Sequence, residues 1–379
     1  MNYFSMTKRL ESLDVLRGLD MICLVVLEPF AHKMGRVEGP FWREWIFVLF
    51  NHESWEGFSM WDLVMPLFMF ISGVTIPFSY DKYRNNNGSI ARFYLRLFRR
   101  FVLLWLLGMV CQGNLLSFNI NQISLFSNTL QAIAIGYVIS AILFLQTRWK
   151  TQIIIALVLL LAYWGAMEFC SLGAYGGGNY SEHGNLAYGI DAFLLGCFRN
   201  TTQMVDGRII IDPTYTHTWI LSSLNFVVIV LCGMLVGHVL KSDMPQKKKI
   251  VIITASGFLL VVSGQVLGNY HPIISHIWTS SMVLLSSGIC FLLTGLFYYL
   301  IEYRKYNRHL TLLKIYGVNS ILAYVMSMVV DFSSISNSFL YGIEKQLGVH
   351  YSVAITSCNM LILFIVLFFL YRNNIFIRV

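Results

Sequence analysis

The chain has 379 residues, of which 56% are hydrophobic and only 12% charged, and it carries a formal net charge of +8. Soluble domains hold about twice that share of charged residues, so a soluble globular fold is excluded. The seven cysteines are scattered without CxxC or CxxxH spacing, which indicates neither a disulfide framework nor a zinc site, and no metal is expected.

Apolar runs of about 20 residues, the length that crosses a bilayer core, recur throughout. They predict an all-α polytopic membrane protein, a single integral-membrane domain over residues 1–379. About ten transmembrane helices are expected, near 15–30, 59–80, 99–117, 128–146, 151–171, 217–240, 249–268, 278–302, 311–330 and 352–371. The first run holds Asp14, Asp20 and Glu28 and no small-residue cleavage site, so it reads as a helix rather than a signal peptide. Basic residues alternate between the connecting segments: 20 of the 27 Lys and Arg fall on the set that includes both ends of the chain. The positive-inside rule then places both termini in the cytoplasm, and the net charge becomes a topology signal that leaves nucleic-acid binding without support. Two outward segments are long, residues 31–58 and 172–216. The second reads as irregular loop from Tyr175-Gly176-Gly177-Gly178-Asn179-Tyr180 and Ile211-Asp212-Pro213.

Chemistry concentrates at the outward mouth of the second helix, in Phe50-Asn51-His52-Glu53-Ser54-Trp55-Glu56-Gly57-Phe58-Ser59-Met60-Trp61-Asp62. His52 precedes the helix and Asp62 falls in its first turn, where the unpaired N–H groups favour a carboxylate. Asp62 is thus either a helix-start residue or the group that orients His52 as a base. Glu28, His32, Asn225, Gln265, Asn319 and Ser320 interrupt or flank apolar runs; polar groups at such depth face a bundle interior or a wet cavity. At the opposite end Arg9, Arg17, Arg96, Arg99 and Arg100 gather near the first helices. Arg17 lies between Asp14 and Asp20 at helical spacing and reads equally as an ion-pair residue or as an anchor for a phosphate-bearing ligand.

These residues resemble a known family. Arg9-Leu-Glu-Ser-Leu-Asp14-Val-Leu-Arg17-Gly18 before the first helix, and His52 with Ser54-Trp55, Gly57, Asp62 to Pro66 and Gly73, are similar to the two leading motifs of the heparan-alpha-glucosaminide N-acetyltransferase family. Shorter matches follow in order: Leu130-Gln131, Tyr188 to Asp191 with Leu194 to Gly196, Asp212-Pro213, Asn225, and Gly317 to Leu322. Glu28 and Ala132 depart from the pattern. The resemblance implies an enzyme that takes acetyl-CoA from the cytosol and acetylates the amine of a terminal glucosamine, or a related glycan, on the far side of the membrane. It places His52 at the catalytic histidine. Asp62 as its orienting group, and Asn51, Asn225 or Asn319 as donor to an oxyanion, are the companions that the residues themselves offer. Arg17, Arg96, Arg99, Arg100, Asn319 and Ser320 are the candidates for contacts with acetyl-CoA, and Glu28, Trp55, Asp191, Asp212 and Asn225 for contacts with the acceptor. Alternatively, Asp212 reads as the cap of a turn before Pro213, and Asp191 as the cap of the helical stretch that follows it. A homodimer in contact with membrane lipid is implied, and a bacterial inner membrane is the expected location.

Two other functions compete. An O-acetyltransferase of a cell-envelope polysaccharide would use the same donor and residue types. A sugar transporter or flippase would want inverted repeats and paired broken helices, and no internal repeat is evident.

Overall fold

A computed structural model describes residues 10–37, 44–46, 49–84, 88–112, 123–198, 202–205, 208–211 and 216–376. Helix dominates them, and the strands form two antiparallel pairs, Ser171–Leu172 with Tyr175–Gly176 and Thr202–Val205 with Arg208–Ile211. Among the described residues, seven helices are long and apolar enough to cross a membrane: Trp61–Arg84, Thr129–Gln146, Trp149–Phe169, Ser223–Lys241, Gln246–Gly268, Ser280–Tyr303 and Glu344–Arg372. An eighth is added if Thr311–Val318 and Ser320–Val329, bent by 74° at Asn319, count as one span. The chain is an all-α integral membrane protein in which the few strands are short.

Two of the ten expected spans are missing from this set, those near 15–30 and 99–117. Both regions are helical over their described residues. The first runs through Glu11–Ile22, Cys23–Leu27 and Glu28–Val37, and the second is Ile90–Cys111. Their acids and arginines, not a lack of helix, separate them from the apolar seven. The two long connections are also more ordered than their sequences suggest. The stretch expected to be loop from residue 31 stays helical to Val37. The region 172–216 contains parts of both strand pairs and an apolar helix, Leu186–Leu195, capped by the Asn185 side chain, which accepts the Tyr188 N–H at 2.8 Å.

The chain divides into two compact units, one comprising Met1–His52, Ser59–Val64 and Phe297–Val379, the other Glu53–Phe58 and Met65–Leu296. In the first, Glu11–Ile22 packs along Thr311–Val318, and Lys314 Nζ donates to Glu11 Oε2 at 2.7 Å. Two π-helical segments, Cys23–Leu27 and Tyr298–Tyr303, widen helices of this unit; such turns recur at functional places. In the second unit, Thr129–Gln146 packs against Ile90–Cys111 and against Ser223–Lys241. A capping box starts Thr129–Gln146: the Leu130 N–H donates to Asn128 Oδ1 at 2.9 Å, and the Asn128 N–H to Gln131 Oε1 at 3.1 Å. The matched pair Leu130-Gln131 therefore has a structural role in starting a span.

Candidate functional site

The mouth of Trp61–Arg84 is built by reciprocal hydrogen bonds. The Ser59 N–H and Oγ donate to Asp62 Oδ2 at 2.9 and 3.1 Å, while the Asp62 N–H donates back to Ser59 Oγ at 3.3 Å. This is the logic of a capping box with Asp at the fourth position. The second carboxylate oxygen, Oδ1, lies 2.6 Å from Nδ1 of His52. Asp62 thus serves the helix start through Oδ2 and contacts His52 through Oδ1.

Exposure separates the two partners. The Asp62 side chain has no exposed surface, whereas that of His52 is 48% exposed. A buried carboxylate accepting from Nδ1–H selects the tautomer with its lone pair on Nε2 and stabilises the imidazolium that forms when Nε2 takes a proton. Phe50 packs on Trp61, with ring centroids 5.6 Å apart, which anchors the strand of chain carrying Asn51 and His52. The Asn51 Nδ2 donor is buried and has no hydrogen-bond partner among the described residues. Glu28 lies within electrostatic reach of His52, and its Oε1 is 4.0 Å from His32 Nε2. The first unit therefore gathers an imidazole held by a buried carboxylate, an unengaged amide donor and a second carboxylate.

The other candidates are placed as follows. Arg17 is half-buried and within electrostatic reach of the buried Asp20. Asn319 sits at the bend before Ser320–Val329, and its Nδ2 donates to the Ile375 carbonyl at 3.2 Å; Ser320 opens the second arm of the bend. In the second unit, Arg96 and Arg99 are exposed, while Arg100 is half-buried with its guanidinium 3.7 Å from the centre of the Tyr137 ring. Asn225 is fully buried and donates through Nδ2 to the Trp278 carbonyl. Trp278 has a positive φ of 56°, so Asn225 serves a residue in an uncommon backbone state. Asp212 lies outside the described residues.

Asp191 is wholly buried, and its two oxygens accept the backbone N–H groups of Trp219 at 2.7 Å and Ile220 at 3.0 Å. That is a capping geometry on the approach to Ser223–Lys241, not on the helix containing Asp191. Asp191→Asn is expected to lower the thermal midpoint by the equivalent of about 1.5–3 kcal/mol, the scale of hydrogen bonds to a charged group, with sugar kinetics unchanged. A raised Michaelis constant for sugar at unaltered stability would instead assign Asp191 to an acceptor.

A second polar cluster escapes sequence reasoning because its members are far apart in the chain. Trp55 Nε1 donates to the Tyr180 carbonyl at 2.9 Å, and the Tyr180 hydroxyl donates to Glu168 Oε2 at 2.9 Å. The same hydroxyl oxygen stands 3.0 Å from His271 Nδ1, so it accepts the Nδ1 proton. Burial pushes the His271 imidazole down to about 4, which keeps it neutral. Burial, and then the bond to Glu168, push the Tyr180 hydroxyl up. Trp55 also lies against His276, which stacks on His217 with centroids 4.4 Å apart.

Comparison with known proteins agrees with the leading motifs. The chain is 25% identical over 374 residues to the mouse heparan-alpha-glucosaminide N-acetyltransferase, covering 85% of this chain and 53% of the mouse protein. The chain is a distant relative of these acetyltransferases. The human protein of the same name gives 25% identity over 368 residues, covering 84% of this chain and 52% of its own. The chain thus spans about half the length of the curated relatives it matches. No family model matches it.

Proposed function

We propose that the chain is a transmembrane acetyltransferase that moves an acetyl group from cytosolic acetyl-CoA to the amine of a terminal glucosamine, or a related glycan, on the extracytoplasmic side. The observation that supports this most is the His52–Asp62 pair, a half-exposed imidazole held by a buried carboxylate at 2.6 Å. The distant relationship to acetyltransferases supports the donor.

The chemistry follows from the residues. As the acceptor amine attacks the thioester carbonyl and the C–N bond forms, Nε2 of His52 takes a proton from the nitrogen. Asp62 stabilises the resulting imidazolium. The carbonyl oxygen becomes an oxyanion, for which the Asn51 amide is a suitable donor. Collapse of the intermediate breaks the C–S bond, and the departing thiolate recovers the proton from His52. On the donor side, Arg17 is a half-buried arginine of the same unit, and its planar fork suits a phosphate. A plasma membrane of a bacterium is the setting proposed for this reaction.

The test is an acceptor panel. Membranes containing the protein, given labelled acetyl-CoA with free glucosamine, glucosaminides and hydroxyl-only sugars, are expected to acetylate the amino sugars, and Arg17→Gln to raise the Michaelis constant for acetyl-CoA more than that for sugar. Transfer to hydroxyl-only sugars would make the chain an O-acetyltransferase. Sugar uptake without acetylation would make it a transporter.

A further inference from the structure

The helix Ile90–Cys111 has 22 residues, about 33 Å at 1.5 Å per residue, nominally enough to cross a bilayer. Its charge is confined to one half: Arg92, Arg96, Arg99 and Arg100 occupy the first eleven residues, and Phe101 to Cys111 carry none. The uncharged half is about 16 Å long, against a hydrocarbon core of about 30 Å. A helix with so little apolar length brings its arginines to the level of the lipid phosphates by thinning the bilayer or by snorkelling.

The two faces of the charged half differ. Phe93 and Leu97 are buried, and Arg100 turns inward onto Tyr137. Arg92, Arg96 and Arg99 are exposed and recur at spacings of four and three, which places them on one helix face. Among them stand bare apolar side chains at the same height, Leu95 at 68% and Phe98 at 65% exposure, with Tyr94 and Ile90 also exposed. Cations interleaved with outward aromatic and aliphatic groups are the composition of a membrane–water interface. Among the described residues no salt bridge joins a carboxylate to Arg92, Arg96 or Arg99; the Arg96 guanidinium also lies 5.8 Å from the centre of the Tyr83 ring. Three unneutralised guanidinium groups next to lipid-facing apolar groups complement an anionic headgroup, whose phosphate accepts bidentate Arg hydrogen bonds.

We propose that Arg92, Arg96 and Arg99 form a headgroup site for an anionic phospholipid at the basic end of Ile90–Cys111. The assignment stands independently of the acetyltransferase reading, and it removes Arg96 and Arg99 from the groups offered to the phosphates of CoA.

The full-length protein in mild detergent is titrated with phosphatidylglycerol and, separately, with phosphatidylcholine, and bound lipid is counted by native mass spectrometry. CoA affinity is measured by calorimetry on the same preparations. The wild type is expected to prefer phosphatidylglycerol. The triple change Arg92→Gln, Arg96→Gln, Arg99→Gln is expected to weaken that binding by roughly 100-fold, from three headgroup contacts of about 1 kcal/mol each, with CoA affinity unchanged. The Lys triple is expected to keep most of the preference. Wild-type protein that does not distinguish the two lipids overturns the proposal whether or not the variants fold. So does a Gln triple that keeps its lipid preference, or one that loses CoA instead.

Discussion

His52→Ala is expected to lower acetyl transfer by at least about 100-fold, the usual scale for a positioned acid–base group, while the protein stays folded and still binds CoA. The side chain is half-exposed and outside the apolar spans, so its removal leaves no large cavity. Asp62→Asn should act differently. It keeps an oxygen for the Ser59 bonds or for His52 but removes the buried negative charge facing Nδ1, and an amide nitrogen presented there would favour the wrong tautomer. A large loss of kcat with unchanged CoA affinity is expected for Asp62→Asn. Asp62→Ala should lose both activity and stability, since Ser59 also loses its acceptor. Single-turnover transfer on purified variants, with CoA binding measured separately, separates these effects. Near-normal turnover in His52→Ala would reduce the pair to a helix-start device.

How much of this was legible depended on the range of the interactions. The apolar spans were readable because bilayer thickness imposes a run of uncharged residues, and the seven observed helices carry such runs. The bend at Asn319 was not, because the run 311–330 is apolar on both sides of it and holds no proline. The π-helical segments Cys23–Leu27 and Tyr298–Tyr303 leave no mark in periodicity that short runs reveal. The role of Ser59 has a local signal: Ser59-Met60-Trp61-Asp62 ahead of an apolar run is the spacing of a capping box. Asp191 depends on partners 28 and 29 residues away, and Tyr180 on Trp55 and His271, 125 and 91 residues away, as well as on Glu168, and no local pattern encodes the long-range pairings.

The same contrast explains why the basic cluster divides. In the sequence Arg96, Arg99 and Arg100 are neighbours with one meaning. On the helix a step of one residue turns the side chain by about 100°, since a turn takes 3.6 residues. Arg100 therefore faces Tyr137 while Arg99 faces outward. Charge type is local information, whereas the face it occupies is set by the packing of Phe93, Leu97 and Leu104.

Gly18→Ala should be among the most damaging single-methyl changes in the first unit. An added Cβ at Gly18 would stand 1.8 Å from the Leu313 carbonyl oxygen, and one at Gly317 would stand 1.8 Å from the Asp14 carbonyl oxygen. Both obstacles are backbone atoms, which cannot rotate away, so either methyl must push Glu11–Ile22 and Thr311–Val318 apart. The two glycines come from matched motifs near opposite ends of the chain, Arg17-Gly18 and Gly317-Val318-Asn319, and each lies against the helix that carries the other. Close approach through small residues is how helices gain packing where the lipid gives no hydrophobic drive between them. Separating them forfeits that packing along the whole crossing. A cost of about 3 kcal/mol, the upper part of the range for overpacked cores, is expected for Gly18→Ala and again for Gly317→Ala. Gly165→Ala, on Trp149–Phe169, is the control, because nothing lies within 4 Å of its added Cβ. Thermal unfolding in one detergent should show the first two variants well below wild type and the third level with it. A Gly18→Ala protein as stable as Gly165→Ala would mean that the two helices do not cross at this distance. Because Arg17 adjoins Gly18, the same displacement is also expected to weaken acetyl-CoA binding in Gly18→Ala, and to leave it intact in Gly165→Ala.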